Sequence, residues 1–143
     1  MNMEIREYDA ADEAALLALW ARCELSVPWN DPRADIARKL AVDRDLFLVG
    51  LIDGRLVASV MGGYDGHRGW LYYVAVDPEF RKQGYGRRII GAVETRLHAR
   101  GCPKINLQVR SHNRKVIAFY ESLGYIESDL ISMGKRLVDD ADS

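Results

Sequence analysis

A run from a predicted strand through a glycine turn into a helix, at residues 74–87, constrains the fold of this chain more than any other feature. Pro78 cannot donate a hydrogen bond to a sheet, so the apolar run before it should end there as a β-strand. Gly84 and Gly86 lack side chains that would keep a ligand away from the backbone. A helix that begins directly after this turn presents unpaired amides and the positive end of its dipole. With several arginine and lysine side chains around it, the turn is suited to a phosphate-bearing ligand.

Two common glycine motifs do not fit this turn. The dinucleotide-binding motif needs a third glycine three positions after the second, and Ile89 stands there. A Walker-type loop needs Gly-Lys followed by Ser or Thr, whereas Gly134-Lys135 is followed by Arg136. The turn keeps the pattern Arg-x-x-Gly-x-Gly after Val-Ala-Val-Asp-Pro. A glycine-rich surface turn with solvated charges is the alternative interpretation.

The length of 143 residues predicts a single domain, 1–143, that folds without disulfides or metals. The formal net charge of −1 favours neither nucleic acid nor a membrane surface as a partner. Cys23 and Cys102 stand far apart and the three histidines form no metal-ligand pattern, so we expect two reduced, buried cysteines and no metal. No signal segment is visible, and no apolar stretch approaches the roughly 20 residues that cross a bilayer. We therefore predict a cytoplasmic protein, and the sequence leaves a homodimer open.

Strand and helix patterns alternate along the chain. The predicted elements are, in order, a strand at 3–8, a helix at about 13–20 capped by Asp9 and Asp12, a helix at 33–42, strands at 46–52, 56–64 and 70–76, a helix with Ile89, Ile90, Val93 and Leu97 on one face, a strand at 105–109, a helix from Asn113 to Gly124, and final strands within 125–137. Asp53-Gly54 predicts a hairpin, because both residues tolerate positive φ. The acidic tail, residues 139–143, is expected to be frayed.

The glycine turn, the order of elements and the segment Phe-Tyr-Glu-Ser-Leu-Gly-Tyr around Tyr120 resemble the GNAT family of acetyltransferases. The resemblance covers nearly the whole chain. It implies an α/β (α+β) fold with a mixed sheet, the acyl-CoA N-acyltransferase fold of order β-α-α-β-β-β-α-β-α-β-β. It also implies acetyl-CoA as co-substrate and an amine as the acetyl acceptor.

The resemblance assigns one stretch of the chain to acetyl-CoA. It implies that the backbone of Val74, Ala75 and Val76 pairs with the pantetheine arm, and that an amide at Val76 contacts the thioester oxygen. The residues that match the family's pyrophosphate-binding stretch are Arg81, Lys82, Gln83, Gly84, Tyr85, Gly86 and Arg87. Arg88 and Arg96 are interpreted as a solvated helix face. Taken alone, the three strand residues equally suit a buried central strand.

Two residues of the last predicted helix complete that site. Asn113 matches an asparagine that contacts coenzyme A in many members of the family. Tyr120 matches the tyrosine proposed to protonate the departing thiolate as general acid. The alternatives are a plain helix cap for Asn113 and an amphipathic core position for Tyr120.

The general base is not evident in the sequence. Some relatives place a glutamate five positions before the asparagine, where this chain has Gln108, and glutamine has no usable basicity. The loop between two predicted strands offers Asp65 and His67, and His67 has the better unperturbed pKa. A water molecule held by backbone carbonyls is an equal alternative.

The acceptor is expected to enter between residues 25–31 and the strands opposite the cofactor. Trp29, Asn30 and Asp31 would offer an aromatic face and polar partners to a cationic amine. The opposite wall would be formed by Tyr64, Asp65 and His67. A structural interpretation stands beside this one, in which Trp29 covers the core and Asn30-Asp31 cap the following helix.

The predicted reaction is direct transfer of an acetyl group to a primary amine of a small molecule, peptide or protein, without a covalent enzyme intermediate. Two other functions stay open. A catalytically silent acyl-CoA-binding module would account for Gln108, although Tyr120 argues against it. A binder of another phosphate compound would use the same helix terminus without a thioester.

Overall fold

Five strands form one mixed sheet in the order β1-β2-β3-β4-β5 in the computed structural model, which describes residues 2–140. They are β1 (Glu4–Glu7), β2 (Phe47–Ile52), β3 (Arg55–Tyr64), β4 (Gly69–Val76) and β5 (Ile105–Asn106). The first four pair antiparallel with their neighbours, and β5 is parallel to β4. This mixed sheet confirms the predicted fold class.

The described part of the chain contains four α-helices: α1 (Glu13–Arg22), α2 (Pro32–Leu40), α3 (Tyr85–Ala99) and α4 (Arg114–Ser122). Asp9 and Asp12 form a capping box on the 3-10 turn that leads into α1. The prediction that they cap α1 itself is wrong, because the side chain of its N-cap residue, Asp12, makes no capping hydrogen bond there. The hairpin at Asp53-Gly54 is also confirmed, with φ values of 49° and 78°. None of the helices described is long and apolar enough to cross a membrane.

Helices cover both faces of the sheet. Ile89, Ile90, Val93 and Leu97 of α3 are buried on one face, so the predicted apolar face of this helix is confirmed. The residues buried on the other face include Leu16, Leu19 and Trp20 of α1, Ile36 of α2, and Phe47, Val49 and Ala75 of the sheet.

The predicted strands after α4 are wrong for the residues the structure describes. Residues 125–140 contain no strand, and β5 has two residues where five were predicted. A strand needs a neighbour with which its backbone can bond, and β5 leaves β4 after the pair Trp70↔Asn106. With no ladder continuing at this edge, the β-type pattern of the last segment has no sheet to join.

Three smaller expectations also need correction. Arg88 and Arg96 are not merely solvated, because Arg88 donates to the Met3 carbonyl at 2.9 Å and Arg96 to the Glu7 carboxylate at 2.9 Å. Cys102 is buried as expected, but Cys23 is only half-buried, and neither cysteine is in a disulfide. Within the acidic tail, Asp140 is buried and pairs with Arg38 at 2.6 Å. Residues 141–143 lie outside the described residues.

Candidate active site

An opening lies between β4 and β5 beyond their short ladder. The two strands pair only at Gly69↔Ile105 and Trp70↔Asn106, so the rest of β4 has no strand partner on that side among the described residues. In an antiparallel pair, the backbone groups of successive residues point alternately toward the neighbouring strand and away from it. The Asp77 amide points toward β3, because it donates to the Val57 carbonyl at 2.8 Å. The amide and carbonyl of Val76 therefore point away from β3, whereas Ala75, opposite Ser59, turns its backbone groups toward it.

A β-bulge in β4 helps to create this opening. Ser59 lies opposite Ala75 and Met61 opposite Tyr72, so Val60 faces two residues of β4, Tyr73 and Val74. Tyr73 has φ of 51°, which is unusual for a residue with an aromatic side chain. An extra residue of this kind locally bends the strand that carries it.

Side chains from three other elements hold the bulge in place. Ser59 donates its hydroxyl proton to the Tyr73 carbonyl at 2.8 Å and accepts a hydrogen bond from Trp20 Nε1 at 2.9 Å. The rings of Trp20 and Tyr73 stack with centroids 3.9 Å apart. The Tyr73 hydroxyl donates to Asp35 at 2.7 Å, and burial together with this bond raises the pKa of Tyr73. The signal in the sequence that could have indicated this network is Ser59, a polar residue within an apolar run.

The end of β4 is fixed by ion pairs before the glycine turn begins. Asp77 is buried, and Arg22 lies 2.8 Å from its carboxylate. Burial alone would raise the pKa of Asp77, but bonds from the Glu79 amide and Arg22 hold it below its usual value. The Val76 carbonyl accepts from Arg81 Nε at 3.0 Å and from the Cys23 thiol at 3.4 Å. Arg81, a predicted ligand residue, thus lies at the strand end.

Gly84 and Gly86 are glycines for different reasons. Gly84 has φ of 85° and caps α3 without a side-chain hydrogen bond, and a Cβ there would meet no atom within 4 Å. A Cβ on Gly86 would lie 3.1 Å from the Phe119 ring, so Gly86 permits close packing of α3 on α4. The space in front of Gly84 is open to an approaching ligand.

The other residues predicted around this turn differ in exposure. Lys82, Gln83 and Arg87 are exposed, and Arg87 also donates to the Ser122 carbonyl at 3.4 Å. Tyr85 is buried, with its ring 6.5 Å from that of Phe80, so only its backbone can face a ligand. The turn therefore offers cationic side chains around an uncapped helix terminus.

Tyr120 and Asn113 are both on α4 or at its start, as predicted. Asn113 is the N-cap residue, yet its side chain makes no capping hydrogen bond, so the plain-cap interpretation does not apply. Tyr120 is half-buried between Phe119 and Tyr125, with ring centroids 5.2 and 5.7 Å away. Burial raises the pKa of Tyr120 to about 12, so its hydroxyl is protonated at neutral pH. In this form the hydroxyl has a proton to donate.

A second opening, an open cleft of about 570 Å³, lies beside the bulge on the α2 side. Its lining residues are Asn30, Asp35, Arg38, Lys39, Val42, Asp43, Met61, Gly63, Tyr64, Asp65, Trp70, Tyr72 and Tyr73. The rings of Trp70 and Tyr72 stack 6.5 Å apart along its wall. Arg38 and Lys39 also line the cleft and pair with Asp35 and Asp43, so the aromatic faces are the feature that suits a cationic group.

Only some of the predicted acceptor residues reach this cleft. Asn30, Tyr64 and Asp65 line it, whereas Trp29, Asp31 and His67 do not. Asp31 accepts hydrogen bonds from the amides of Arg33 and Ala34, which confirms the alternative that it caps α2. Trp29 does not cover the core, because half of its surface is exposed. The sequence did not single out Trp70, Tyr72 or Asp35.

The turn with Asp65 and His67 lies at the far end of β4 from Val76, roughly 25 Å away at about 3.3 Å per residue. The Asp65 carboxylate accepts from the amides of Arg68 and His67, and these bonds lower its pKa. Its role is to shape the turn. Gln108 is exposed and bonds to Ser132. Within residues 2–140, no three His, Cys, Asp or Glu side chains are grouped so that they could hold a metal ion.

Comparisons with known proteins agree on one family. The family model described as Acetyltransferase (GNAT) family matches residues 14–125. The chain is 54% identical over 138 residues to an acetyltransferase of Pectobacterium atrosepticum, covering 96% of this chain and 98% of that protein. The ribosomal-protein-S18-alanine N-acetyltransferase from Escherichia coli matches with a TM-score of 0.73 at 25% identity, over 89% of this chain and 79% of that one. AAC(6')-Iy, solved with a bisubstrate analog of coenzyme A and acetylneamine, shares the fold with a TM-score of 0.77 at 19% identity, over 96% and 100% of the chains.

Proposed function

The chain belongs to the GNAT family of acetyl-CoA-dependent acetyltransferases, and we propose that it acetylates a primary amine that enters through the aromatic cleft beside β4. The observation that carries this proposal is the position of the bulge. It separates an open strand edge, which suits an extended thioester arm, from a cleft that suits a cation. The acceptor is a small molecule or the amino group of a peptide or protein.

The residues around the β4 edge fit coenzyme A. Gly84 leaves open space before the uncapped start of α3, and Lys82 and Arg87 add positive charge for a pyrophosphate. Arg81, Gln83 and the backbone of Tyr85 complete this turn. The uncommitted side chain of Asn113 lies at the start of α4. Of the three predicted strand residues, we retain Val74 and Val76 for the pantetheine arm, because Ala75 faces β3.

When bound, acetyl-CoA supplies the thioester that the amine attacks. The Val76 amide, turned to the open edge, donates a hydrogen bond where negative charge develops on the carbonyl oxygen. Tyr120 then gives its proton to the sulfur that departs. The half-buried hydroxyl of Tyr120 makes no hydrogen bond to another described side chain and is protonated at neutral pH.

The proton of the attacking ammonium goes to water rather than to a histidine in this proposal. His67 lies at the turn far from Val76, and Gln108 carries no basic group. Asp35 stands on the cleft wall, where it accepts from the Tyr73 hydroxyl and contacts Arg38 at 3.2 Å. Both oxygens of this carboxylate are already bonded, so Asp35 is not assigned the proton of the amine.

The experiment that tests the function measures thiol release from acetyl-CoA with a panel of amines and matched alcohols. We expect amine-dependent turnover and none with the alcohols. Binding of acetyl-CoA without turnover of any amine would support the silent acyl-CoA-binding module instead, which the glutamine at position 108 favours. The same protein would then be proposed as a cytoplasmic sensor rather than a cytoplasmic enzyme.

The cleft itself is tested by Tyr72→Ala. Tyr72 and Trp29 are aromatic residues with 50% and 51% of their surface exposed, but only Tyr72 lines the cleft. We expect Tyr72→Ala to raise the KM of the amine by about tenfold, the effect of losing a cation–π contact of about 1–2 kcal/mol, with the KM of acetyl-CoA unchanged. Trp29→Ala is the control and should leave both constants near their original values. Equal effects of the two variants would place the acceptor elsewhere.

A further inference from the structure

The two cationic side chains among the described residues that line the aromatic cleft, Arg38 and Lys39, differ in accessibility. The Lys39 side chain is 10% exposed, and its ammonium group is bonded to the Asp43 carboxylate and the Gly62 carbonyl. The Arg38 side chain is 54% exposed. Of these two cations, Arg38 is therefore the one that a ligand in the cleft can reach.

The guanidinium group of Arg38 already holds a carboxylate of its own chain. Its two terminal nitrogens bond to the two oxygens of Asp140 at 3.1 and 2.6 Å, which is the bidentate geometry that arginine makes with a carboxylate. The Asp31 amide bonds to the same carboxylate, and Arg38 together with this amide lowers the pKa of Asp140. The Asp140 side chain is only 3% exposed. The cleft therefore contains a built carboxylate-binding site, with Asp140 in it.

The segment that carries Asp140 is held near the cleft by polar contacts. Besides the bonds of Asp140, Arg136 bonds to Asn30, which also lines the cleft. The apolar side chains of the segment contribute little, since Ile131, Met133 and Leu137 are 90–92% exposed. A segment that buries little apolar surface detaches at a small cost in free energy. Another carboxylate can therefore take the place of Asp140 on Arg38.

Arg38 is connected to the bulge in β4 through a single carboxylate. One oxygen of Asp35 accepts from the Tyr73 hydroxyl at 2.7 Å, and the other lies 3.2 Å from Arg38. The aromatic wall formed by Trp70 and Tyr72 belongs to the same cleft. The cleft thus offers aromatic faces to a cation and a guanidinium group to an anion, which together suit a ligand with both charges.

We propose that Arg38 selects acceptors that carry a carboxylate besides the primary amine, such as an amino acid or a short peptide, and that Asp140 occupies the same place until such an acceptor binds. The inference rests on the proposed function, because it names the class of acceptor for that cleft. Arg38 binds the acceptor without taking part in the chemistry, whereas Asp140 competes with it. The two members of one ion pair should therefore affect carboxylate acceptors in opposite directions.

Matched acceptors test this opposition: glycine, β-alanine, L-lysine and triglycine, each supplied as the free carboxylate and as the carboxamide. The measured quantity is the ratio of kcat/KM for the carboxylate to kcat/KM for the carboxamide. We expect the wild type to favour the carboxylate, Arg38→Ala to lower the ratio by about tenfold or more, and Asp140→Ala to raise it by about tenfold, the effect of one charge-assisted contact. A ratio that moves in the same direction in both variants would overturn the proposal, because the ion pair would then only support the fold. So would an unchanged ratio in Arg38→Ala.

Arg33→Ala and Asp129→Ala are the matched controls for the two charges. Arg33 is an exposed arginine of α2 that does not line the cleft, and Asp129 is an exposed carboxylate in the segment that leads to Asp140. Each control removes the same charge as the variant that it matches, and neither should change the ratio. An effect of Arg33→Ala as large as that of Arg38→Ala would contradict a specific site, because it would reflect net charge alone.

Calorimetric titration of the same probes, with and without coenzyme A, separates this inference from the proposed function. We expect the carboxylates to bind about tenfold more tightly to Asp140→Ala than to the wild type and about tenfold more weakly to Arg38→Ala. The carboxamides should not distinguish Asp140→Ala from the wild type. Binding in this order without turnover of any amine would support the carboxylate site and contradict the acetyl transfer. Turnover of amines with equal affinity for carboxylates and carboxamides would support the acetyl transfer and overturn the role of Arg38.

Discussion

At the scale of single residues, the side chains around the β4 edge differ in the contacts that they make. Tyr120 and Tyr125 are adjacent aromatic residues with ring centroids 5.7 Å apart. Only Tyr125 has its hydroxyl bonded to a carboxylate, that of Glu94. Asp77 fixes the end of the strand through Arg22 and the Glu79 amide. These contacts distinguish Tyr120, whose hydroxyl bonds to no other described side chain, from Tyr125 and Asp77, which hold this part of the fold in shape.

Tyr120→Phe should lower kcat/KM by about a hundred- to ten-thousandfold, the usual effect of losing a general acid. The binding of acetyl-CoA should change little, because the ring remains packed. Tyr125→Phe is the matched control: it should cost about 1–3 kcal/mol of stability through the lost bond to Glu94 and leave kcat/KM nearly unchanged. The measurement is kcat/KM between pH 7 and 9, together with acetyl-CoA affinity. An unaltered rate for Tyr120→Phe would return this residue to a purely structural role.

Asp77→Asn should lower the free energy of unfolding at pH 7 by about 1–3 kcal/mol, since a buried carboxylate bonded to an arginine is replaced by a neutral amide. The native pKa of Asp77 is below its unfolded value of about 3.9, so the carboxylate stabilises the fold above that pH. This stability is lost as the pH falls through the native pKa. The difference between wild type and variant should therefore shrink from pH 6 to pH 3 in urea unfolding. Asp53→Asn, at an exposed turn residue, should show no such convergence.

At the scale of elements, the bulge in β4 connects two helices and one neighbouring strand to the candidate site. Trp20 of α1, Ser59 of β3 and Asp35 of α2 all contact Tyr73, whose φ is 51°. A strained residue persists only where its surroundings hold it. The bulge also sets the border between the open strand edge and the cleft, so its support is a structural requirement of both openings.

Ser59→Ala should destabilise the fold by about 1–3 kcal/mol, because the buried Trp20 Nε1–H and the Tyr73 carbonyl each lose a partner. Relaxation of the bulge should also lower kcat/KM for both substrates. Thr95→Ala is a suitable control, since Thr95 loses only an exposed hydroxyl bond to the Gly91 carbonyl. It should cost less than about 0.5 kcal/mol and leave the kinetics unchanged. A stable, fully active Ser59→Ala enzyme would show that the bulge does not need this hydroxyl.

At the scale of the whole molecule, helices pack on both faces of the sheet, and the edge of β4 beyond β5 is the proposed site for acetyl-CoA. Strand β4 contacts both helical layers through the two apolar clusters. Anything that binds its open edge and the start of α3 therefore stabilises the folded state as a whole. The coupling can be measured in the unfolding temperature.

Saturation with acetyl-CoA at about a hundred times its dissociation constant should stabilise the protein by roughly 2.7 kcal/mol, or about 5–10 °C in Tm. Gly84→Glu should abolish this shift by placing negative charge before the pyrophosphate. Gly54→Glu is the control, because both glycines have positive φ and open space around the missing Cβ. A full shift in Gly84→Glu would move the cofactor away from this turn. An equal shift with ATP or NAD would indicate a general phosphate site.

The sequence alone determined the elements whose signals are local. Proline and glycine residues predicted the end of the strand before the turn and the Asp53-Gly54 hairpin, and Asn113, a residue type suited to an N-cap, predicted the start of α4. Periodicity identified the buried face of α3. The motifs around Gly84 and Tyr120 identified the acetyltransferase family. Such motifs can be read from a sequence because the conformation of a glycine turn depends mainly on residues next to it in the chain.

Only the tertiary structure decided the features that depend on distant partners. The bulge at Tyr73 arises from contacts with Trp20, Ser59 and Asp35, which are far apart in sequence. Burial of Tyr85 likewise follows from the residues that surround it. The last segment shows the limit most clearly: its β-type pattern predicts strands, but a strand exists only where another backbone accepts its hydrogen bonds. For residues 126–138, no described part of the same chain provides that backbone.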